Sequence, residues 1–220
     1  MSGRIRHGGG PRAALEPGLG RARRDTLPVP ADPIRPGYDA LGVEGYYQAH
    51  AQSYRNPHES QIRHLLRWWV EGFDIPAEAS VLDLACGSGE VTLGLRSLGR
   101  ARCEGMDPFT FTAYTARTGL PCRVCSFEQL VQESVDGEAT PLEARAVPRY
   151  DAVVCSFALH LLEASRLPGL CQALAQLAPM LLVLTPHKRP ELREAWGAVQ
   201  LAECLHERVR ARVYRLTTLG

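Results

Sequence analysis

The first residues whose types and spacing could do chemistry form a glycine turn at positions 86–89, read Cys-Gly-Ser-Gly. Glycine adopts a positive φ without steric cost, and its lack of a side chain lets a ligand approach the backbone. Asp107 follows 20 positions after Gly87, which is typical of the acid that binds a ribose in nucleotide-binding βαβ units. The pattern therefore predicts a nucleotide-type site. The alternatives are a plain strand-to-helix turn and a loop aspartate before Pro108.

Two histidines are candidates for proton transfer. His160 follows the apolar run at 152–155, and His187 follows another at 180–184. A neutral imidazole has a pKa of about 6.5 and can accept a proton near neutral pH. His160 is the better placed, because it should lie near the carboxyl ends of the predicted strands. The alternative is a structural histidine that bonds to the helix after it, and His187 is the second choice.

Cysteines offer a third kind of chemistry. The chain has seven, an odd number, and several of them lie in apolar runs. This usage indicates reduced thiols in a cytosol-like compartment. Cys122 and Cys125 form a C-x-x-C pattern, but it lies in a predicted strand with no second pair and no nearby histidine. A zinc or redox role is therefore the minor interpretation, and we expect no metal site.

These residues need elements that bring them to one edge of a sheet. Short apolar runs predict strands, and the segments between them with helical spacing and Gly or Pro stop signals predict helices. The predicted strands are 81–85, 103–106, 122–125, 152–155 and 180–184, and the predicted helices are 90–98, 110–118 and, with Ser165 as its cap, 165–177. Residues 134–149 are predicted as a polar surface connection. Apolar–polar alternation in 196–205 and 209–216 predicts a terminal hairpin.

A further helix is predicted before the glycine turn. Asn56 fits the N-cap, Pro57 the first helical position and Glu59 the acid of a capping box. Apolar residues then recur at helical spacing as far as Phe73, so one face of the helix should pack on the sheet. The helix should end near Gly72.

The glycine turn and the acid before it resemble motif I of the class I S-adenosylmethionine-dependent methyltransferases, in which an acidic residue is followed by Gly-x-Gly. Segment 150–162, read YDAVVCSFALHLL, is similar to motif IV of the small-molecule methyltransferases, where a His often follows the strand. It does not resemble the Asn/Asp-Pro-Pro-Tyr version, which disfavours methylation of an adenine, cytosine or glutamine nitrogen. The resemblance spans residues 43–218. It implies an α/β fold with a Rossmann-like, doubly wound sheet of seven mostly parallel strands that ends in a C-terminal antiparallel hairpin.

The same resemblance implies S-adenosyl-L-methionine as the cofactor and methyl transfer to an O, N, S or C atom of a small-molecule or otherwise unidentified acceptor. Asp107 would bind the ribose, Ser126 and Phe127 would face the adenine, and His160 would act as the base. The other cofactor contacts that it implies are Asp83, Ala85, Cys86, Gly87, Ser88, Gly89, Met106, Pro108, Cys155 and Ser156.

In the resembling family, the segment before motif I often closes over the cofactor. Tyr54, Asn56 and His58 are therefore candidate lid residues. The alternative is a capped helix beside tyrosines that only pack.

The bulk composition bounds the classes of function. A chain of 220 residues with a net charge of +1 has room for one domain with a substantial core. Residues 1–24 hold six Arg and one acid, and the remainder holds 19 basic and 23 acidic residues. A mildly acidic body argues against a dedicated nucleic-acid surface. No apolar stretch approaches the ~20 residues that a membrane span needs, and the composition does not indicate an oligomeric state.

The N-terminal segment differs from the rest of the chain. Residues 1–37 are rich in Gly, Pro and Arg, which predicts a disordered tail ahead of the domain at 43–218. An Arg-rich, acid-poor start is also typical of an organelle transit peptide, although Gly and Pro spoil the amphipathic helix that such a peptide needs. A misplaced start codon would look the same. We expect a cytoplasmic protein.

Two other classes of function compete with methyl transfer. A methyltransferase-fold protein without activity could serve as a binding or assembly module, but the intact Gly87, Gly89 and Asp107 argue against this. A nicotinamide-dependent oxidoreductase is disfavoured, because Thr92 occupies the third glycine position of G-x-G-x-x-G.

Overall fold

The computed structural model describes residues 55–100, 102–138 and 150–219. The predicted N-terminal tail at 1–37 lies outside these residues, and so do the tyrosines before Arg55. The second part of the predicted surface connection, 139–149, also lies outside them.

The described residues form one seven-stranded sheet. Its strands are β1 Val81–Leu84, β2 Cys103–Met106, β3 Cys122–Arg123, β4 Ala152–Ser156, β5 Met180–Thr185, β6 Ala198–His206 and β7 Val209–Leu216. They lie in the order β3-β2-β1-β4-β5-β7-β6. The first five are parallel, while β7 runs antiparallel to both β5 and β6. This arrangement confirms the predicted mostly parallel sheet with its terminal hairpin.

Helices cover both faces of this sheet, which is what apolar parallel strands require. They are α1 Glu59–Gly72, α2 Glu90–Ser97, α3 Phe111–Thr118, α4 Phe127–Glu138 and α5 Leu167–Leu177. On one face α1 and α2 pack with Val81, Val154 and Leu182. On the other face α4 and α5 pack with residues such as Leu82 and Val183. The alternation of neighbouring strand residues between the two cores fixes the register of the sheet.

The start of α1 differs from the prediction. His58, not Asn56, is the N-cap residue, and its side chain makes no capping bond. The Oδ1 atom of Asn56 accepts a hydrogen bond from the His58 N–H at 2.9 Å, and the Asn56 N–H donates to Glu90 Oε1 at 3.0 Å. Glu90 holds Asn56 outside the helix. The N-cap of α1 therefore lies two residues later than predicted.

Three other boundaries differ. The edge strand β3 stops at Arg123 because only two of its residues pair with β2, so the predicted strand to Cys125 is too long. Helix α4 already begins at Phe127 and continues through residue 138, so the first part of the predicted surface connection is helical. Ser165 lies in the short 3-10 turn Ala164–Arg166, and Arg166 is the N-cap of α5.

A capping motif explains why α4 begins at Phe127. Ser126 N–H donates to Gln129 Oε1 at 2.8 Å, and Gln129 N–H donates to Ser126 Oγ at 3.2 Å. This reciprocal pair is a capping box of the form S-x-x-Q, a signal that the sequence carries at 126–129. None of the helices within the described ranges is long and apolar enough to cross a membrane.

Candidate functional site

The turn between β1 and α2 has an unusual backbone. Ala85, Gly87 and Gly89 have φ values of 54°, 57° and 89°, all in the left-handed region that favours glycine. The Cys86 N–H donates to the Met106 carbonyl at 3.1 Å, which ties this turn to the end of β2. The turn is therefore held in a narrow loop at the carboxyl edge of the sheet.

Asp83 on β1 stabilises this turn through hydrogen bonds to the start of α2. Its carboxylate is fully buried, and Oδ2 accepts hydrogen bonds from Thr92 N at 3.0 Å and Thr92 Oγ1 at 2.8 Å. Burial raises the pKa of this carboxyl to about 8, although the two bonds from Thr92 oppose the shift. Asp83 thus fixes the start of α2 against β1.

Asp107 joins the two loops at the ends of β1 and β2. Its Oδ1 accepts hydrogen bonds from the backbone N–H groups of Phe109 and Thr110, both at 2.8 Å. Its Oδ2 accepts one from the Gly87 N–H at 3.2 Å. Because a carboxylate oxygen can accept about two hydrogen bonds, Oδ2 keeps room for a ligand and Oδ1 does not.

A cavity of about 640 Å³ opens beside these loops, at the carboxyl ends of β1, β2 and β4. Of the predicted site residues, its wall contains Ala85, Gly87, Asp107, Pro108, Ser126, Phe127 and Ser156. Sequence reasoning missed the other wall residues, which are Leu84, Phe109, Cys125, Glu128, Gln129, Phe157, Ala158, Leu161 and Leu162. We call this space the first cavity.

The charge of the first cavity is one-sided. Asp107 and Glu128 are acidic, and none of the described residues that line the cavity is Lys, Arg or His. The wall is otherwise apolar or neutral. A cationic ligand would be favoured here, and a ligand with several negative charges would find no partner.

Six predicted contacts lie outside this wall: Asp83, Cys86, Ser88, Gly89, Met106 and Cys155. Gly89 is required for packing, because a Cβ there would lie 2.4 Å from Thr118 Cγ2. Met106 and Cys155 are core residues. Cys86 Sγ lies 3.5 Å from Cys122 Sγ. Burial raises the pKa of the Cys86 thiol, and this contact adds to the rise. These six residues therefore stabilise the loops and strands around the cavity without lining it.

The turn is also connected to the segment before α1. Glu90 is 4% exposed and accepts hydrogen bonds from Asn56 N, Ser88 Oγ and Arg117 Nη1. Arg117 also pairs with Glu59 Oε2 at 2.6 Å. This network fixes the predicted lid residue Asn56 against the turn.

Phe157 is one of the wall residues that the sequence did not reveal. It directly follows β4 and has a φ of 56°, a strained value for a bulky residue. Its ring stacks on His58 at 4.9 Å between ring centres, and burial lowers the His58 pKa. His58, a predicted lid residue, thus supports the cavity wall from outside.

His160 follows the end of β4 but does not line the first cavity. It lines a second cavity of about 410 Å³, and its ring centre lies 4.5 Å from that of His187. Leu162 lines both cavities, so they adjoin at this residue. The two candidate histidines are neighbours, and neither lines the first cavity.

The C-x-x-C pattern does not form a metal centre. Among the described residues, no group of three His, Cys, Asp or Glu is placed to hold a metal ion. Cys122 contacts Cys86, and the Cys125 thiol donates to the Ser126 carbonyl at 3.4 Å.

Comparison with known proteins places this fold. No family model matches the chain. An uncharacterized protein of Schizosaccharomyces pombe is 37% identical over 72% of this chain and 76% of its own length. The magnesium protoporphyrin IX methyltransferase of Synechocystis PCC 6803, solved with bound S-adenosylmethionine, is 17% identical and superposes over 84% of this chain and 95% of its own with a TM-score of 0.53.

A Pyrococcus horikoshii protein described as a candidate RNA methyltransferase is 14% identical over 76% of this chain and 88% of its own, with a TM-score of 0.51. The chain belongs to the family of the Schizosaccharomyces pombe protein, and its fold is that of the class I S-adenosylmethionine-dependent methyltransferases.

Proposed function

We propose that this protein binds S-adenosyl-L-methionine in the first cavity and transfers its methyl group to a small-molecule acceptor. The observation that carries this proposal is the acid-lined wall at the carboxyl ends of β1, β2 and β4. When bound, S-adenosylmethionine supplies an electrophilic methyl group on a cationic sulfur. Glu128 pairs with Arg166, but no basic residue lines the described wall beside Asp107, which favours that cation over the pyrophosphate of a nicotinamide dinucleotide.

The residues of the first cavity fit the parts of this cofactor. Asp107 Oδ2 has capacity for a bond from a ribose hydroxyl, while Gly87 exposes its backbone to the ligand. Phe109, Phe127 and Ser126 offer aromatic and polar surface for an adenine. The neighbour solved with bound S-adenosylmethionine supports the same assignment.

The acceptor would approach from the second cavity. In-line transfer needs the acceptor atom, the methyl carbon and the sulfur nearly collinear, and such positioning can contribute up to ~7–11 kcal/mol. Leu162 lines both cavities, so they adjoin there, and the acceptor atom would reach the methyl group past this side chain. His160, on the wall of the second cavity, would remove a proton if the acceptor is a hydroxyl, a thiol or a protonated amine. A cytoplasmic location is part of the proposal and is supported by seven free cysteines.

Thermal unfolding with S-adenosylmethionine, S-adenosylhomocysteine and NAD tests the cofactor. A ligand at 100 times its dissociation constant should stabilise the protein by about 2.7 kcal/mol, and we expect this for the first two ligands only. Stabilisation by NAD alone would overturn the proposal. Release of S-adenosylhomocysteine during incubation with a metabolite extract then tests turnover. Binding without turnover would favour the second candidate, an inactive binding or assembly module.

A glycine substitution locates the binding. Gly87→Val adds a side chain to the wall of the first cavity at a φ of 57° and should abolish binding of S-adenosylhomocysteine, as measured by calorimetry. Gly99→Val is the matched control. It imposes a similar backbone strain, at a φ of 76°, where a Cβ meets nothing within 4 Å. If both variants bind the ligand normally, the glycine turn is not the site.

A further inference from the structure

The second cavity is lined by the turn after β4 and by the loop that follows β5. Its wall contains His160, Leu167, Arg189, Arg193 and Trp196. Its volume of about 410 Å³ is within the range of small-molecule sites. Unlike the first cavity, it combines two arginines with an indole ring.

A buried arginine holds the loop 186–193 in place. Arg212 on β7 is 2% exposed. It donates to the carbonyl of Lys188 at 2.8 Å and to that of Pro190 at 3.1 Å, and its Nε lies 2.6 Å from Glu203 Oε2. These backbone carbonyls cannot move without leaving buried N–H groups of the guanidinium without an acceptor, so the cavity wall is preorganised.

The charged residues on this wall differ in whether they lie near an opposite charge. Glu191 also lines the cavity, but its Oε1 lies 3.7 Å from Arg212 Nη2. No ion pair joins Arg189 or Arg193 to any acid within residues 55–100, 102–138 and 150–219. The Arg193 guanidinium lies 5.1 Å from the centre of the Trp196 ring. Two guanidinium groups are therefore available to a ligand beside an aromatic surface.

We infer that the second cavity binds a small organic anion with a flat apolar body, and that this anion is the methyl acceptor. The second clause rests on the proposed function. Guanidinium groups bind carboxylate and phosphate oxygens through paired hydrogen bonds. Trp196 and the leucines of the wall provide apolar surface for the body of the ligand. The anionic group would lie between Arg189 and Arg193, and the atom to be methylated would lie toward Leu162 and the first cavity.

Paired probes test the charge requirement in the presence of saturating S-adenosylhomocysteine. Indole-3-acetate and phenyl phosphate are the anions, and indole-3-acetamide and phenol are their neutral counterparts. We expect at least one anion to bind with about tenfold higher affinity than its neutral counterpart, as measured by calorimetry. The two anions distinguish a carboxylate from a phosphate. If neither anion binds better than its counterpart, the inference is wrong.

Variants locate the anion. Arg189→Met combined with Arg193→Met should remove the preference for the anion. Arg215→Met is the matched control, because Arg215 is exposed and pairs with Met180 at the opposite end of β5. An unchanged preference in the double variant would overturn the inference.

The cofactor and the labelled product separate this inference from the proposed function. The double variant should bind S-adenosylhomocysteine as the unaltered protein does. With methyl-labelled S-adenosylmethionine and a metabolite extract, the labelled product should be retained on an anion exchanger. A labelled product in the neutral fraction contradicts the anionic acceptor and leaves the proposed function standing, whereas failure of the unaltered protein to bind S-adenosylhomocysteine contradicts both.

Discussion

Asp107 is the residue on which the cofactor proposal can be tested most directly. Asp107→Ala removes the acceptor of three backbone N–H groups and the proposed ribose contact. A hydrogen bond to a charged group contributes about 1.5–3 kcal/mol, so the affinity for S-adenosylhomocysteine should fall about tenfold to a hundredfold. Calorimetry measures the affinity, and urea denaturation measures the accompanying loss of stability.

Asp107→Asn keeps two of the three backbone hydrogen bonds. The amide oxygen can still accept from Phe109 and Thr110, while an NH₂ group in place of Oδ2 can accept neither the Gly87 N–H nor a ribose hydroxyl. If the ribose contact matters, both variants lose affinity to a similar degree. Normal affinity in Asp107→Asn would show that Asp107 only holds the two loops together.

Asp83 should make the stability of the protein depend on pH. Its pKa in the folded protein is about 8, against an ordinary value of 3.8. Between these values the folded protein holds a proton that the unfolded chain has released. Its contribution to stability should therefore fall as the pH rises from about 4 to about 8, by at most ~1.4 kcal/mol per pH unit.

Urea denaturation of Asp83→Asn at pH 5.5 and pH 8 measures this contribution. The amide keeps an oxygen for Thr92 but cannot ionise, so the variant should lose less stability than the unaltered protein between the two pH values. Asp151→Asn is the control, because hydrogen bonds from Ser80 lower the pKa of Asp151 and its effect lies at more acidic pH. Parallel pH profiles for all three proteins would contradict the prediction.

Some of the site residues could be predicted because their role depends on local sequence. Asp107 directly follows β2 and Gly87 lies in the turn after β1, so the strand assignment also places them at the edge of the sheet. Gly89 could not be assigned in this way, because its contact with Thr118 comes from α3. The role of Phe157 depends on its stacking with His58, a residue about a hundred positions away.

Arg212 is the clearest test at the level of the loops and strands. Arg212→Met removes a buried cation that bonds to two loop carbonyls and to Glu203. Glu203 is partly exposed and keeps Arg210 as a partner, so the main loss is that of the two carbonyl hydrogen bonds, about 1–3 kcal/mol. Stability should fall accordingly, and amide hydrogen exchange in residues 186–193 should increase. Exchange measured by mass spectrometry provides the readout.

Arg210→Met is the matched control for this substitution. Arg210 lies on the same strand and pairs with the same Glu203, but its side chain is 21% exposed. Exposed pairs contribute about 0–1 kcal/mol, so the loop should keep its protection. Equal exchange in the loop of both variants would show that Arg212 does not hold it.

The elements themselves were predictable to different degrees. The local apolar sequence is enough to define the buried strands β1, β4 and β5. Their predicted bounds are correct to within a residue. The edge strand β3 was predicted too long, because pairing with β2 alone decides its length. The loop 186–193 has no periodic pattern, so the second cavity could not be predicted from the sequence.

For the molecule as a whole, the question is whether residues before α1 contribute to the site. Removing residues 1–37 should leave folding and cofactor affinity nearly unchanged, since their composition predicts little burial. Removing residues 1–58 should lower both the stability of the fold and the affinity for the cofactor. That deletion removes the bond from Asn56 to the buried Glu90 and the stacking of His58 on Phe157.

The loss of the bond to Glu90 leaves a buried carboxylate with one donor fewer, at a cost of about 1–3 kcal/mol. The loss of His58 leaves the strained Phe157 without its outer support, so the wall of the first cavity should loosen. Titration of both shortened proteins with S-adenosylhomocysteine compares their affinities, and His58→Ala in the full chain separates the stacking from the deletion. Equal affinities in the two shortened proteins would mean that residues 38–58 do not contribute to cofactor binding, and Asn56 and His58 would then have no part in covering the cofactor.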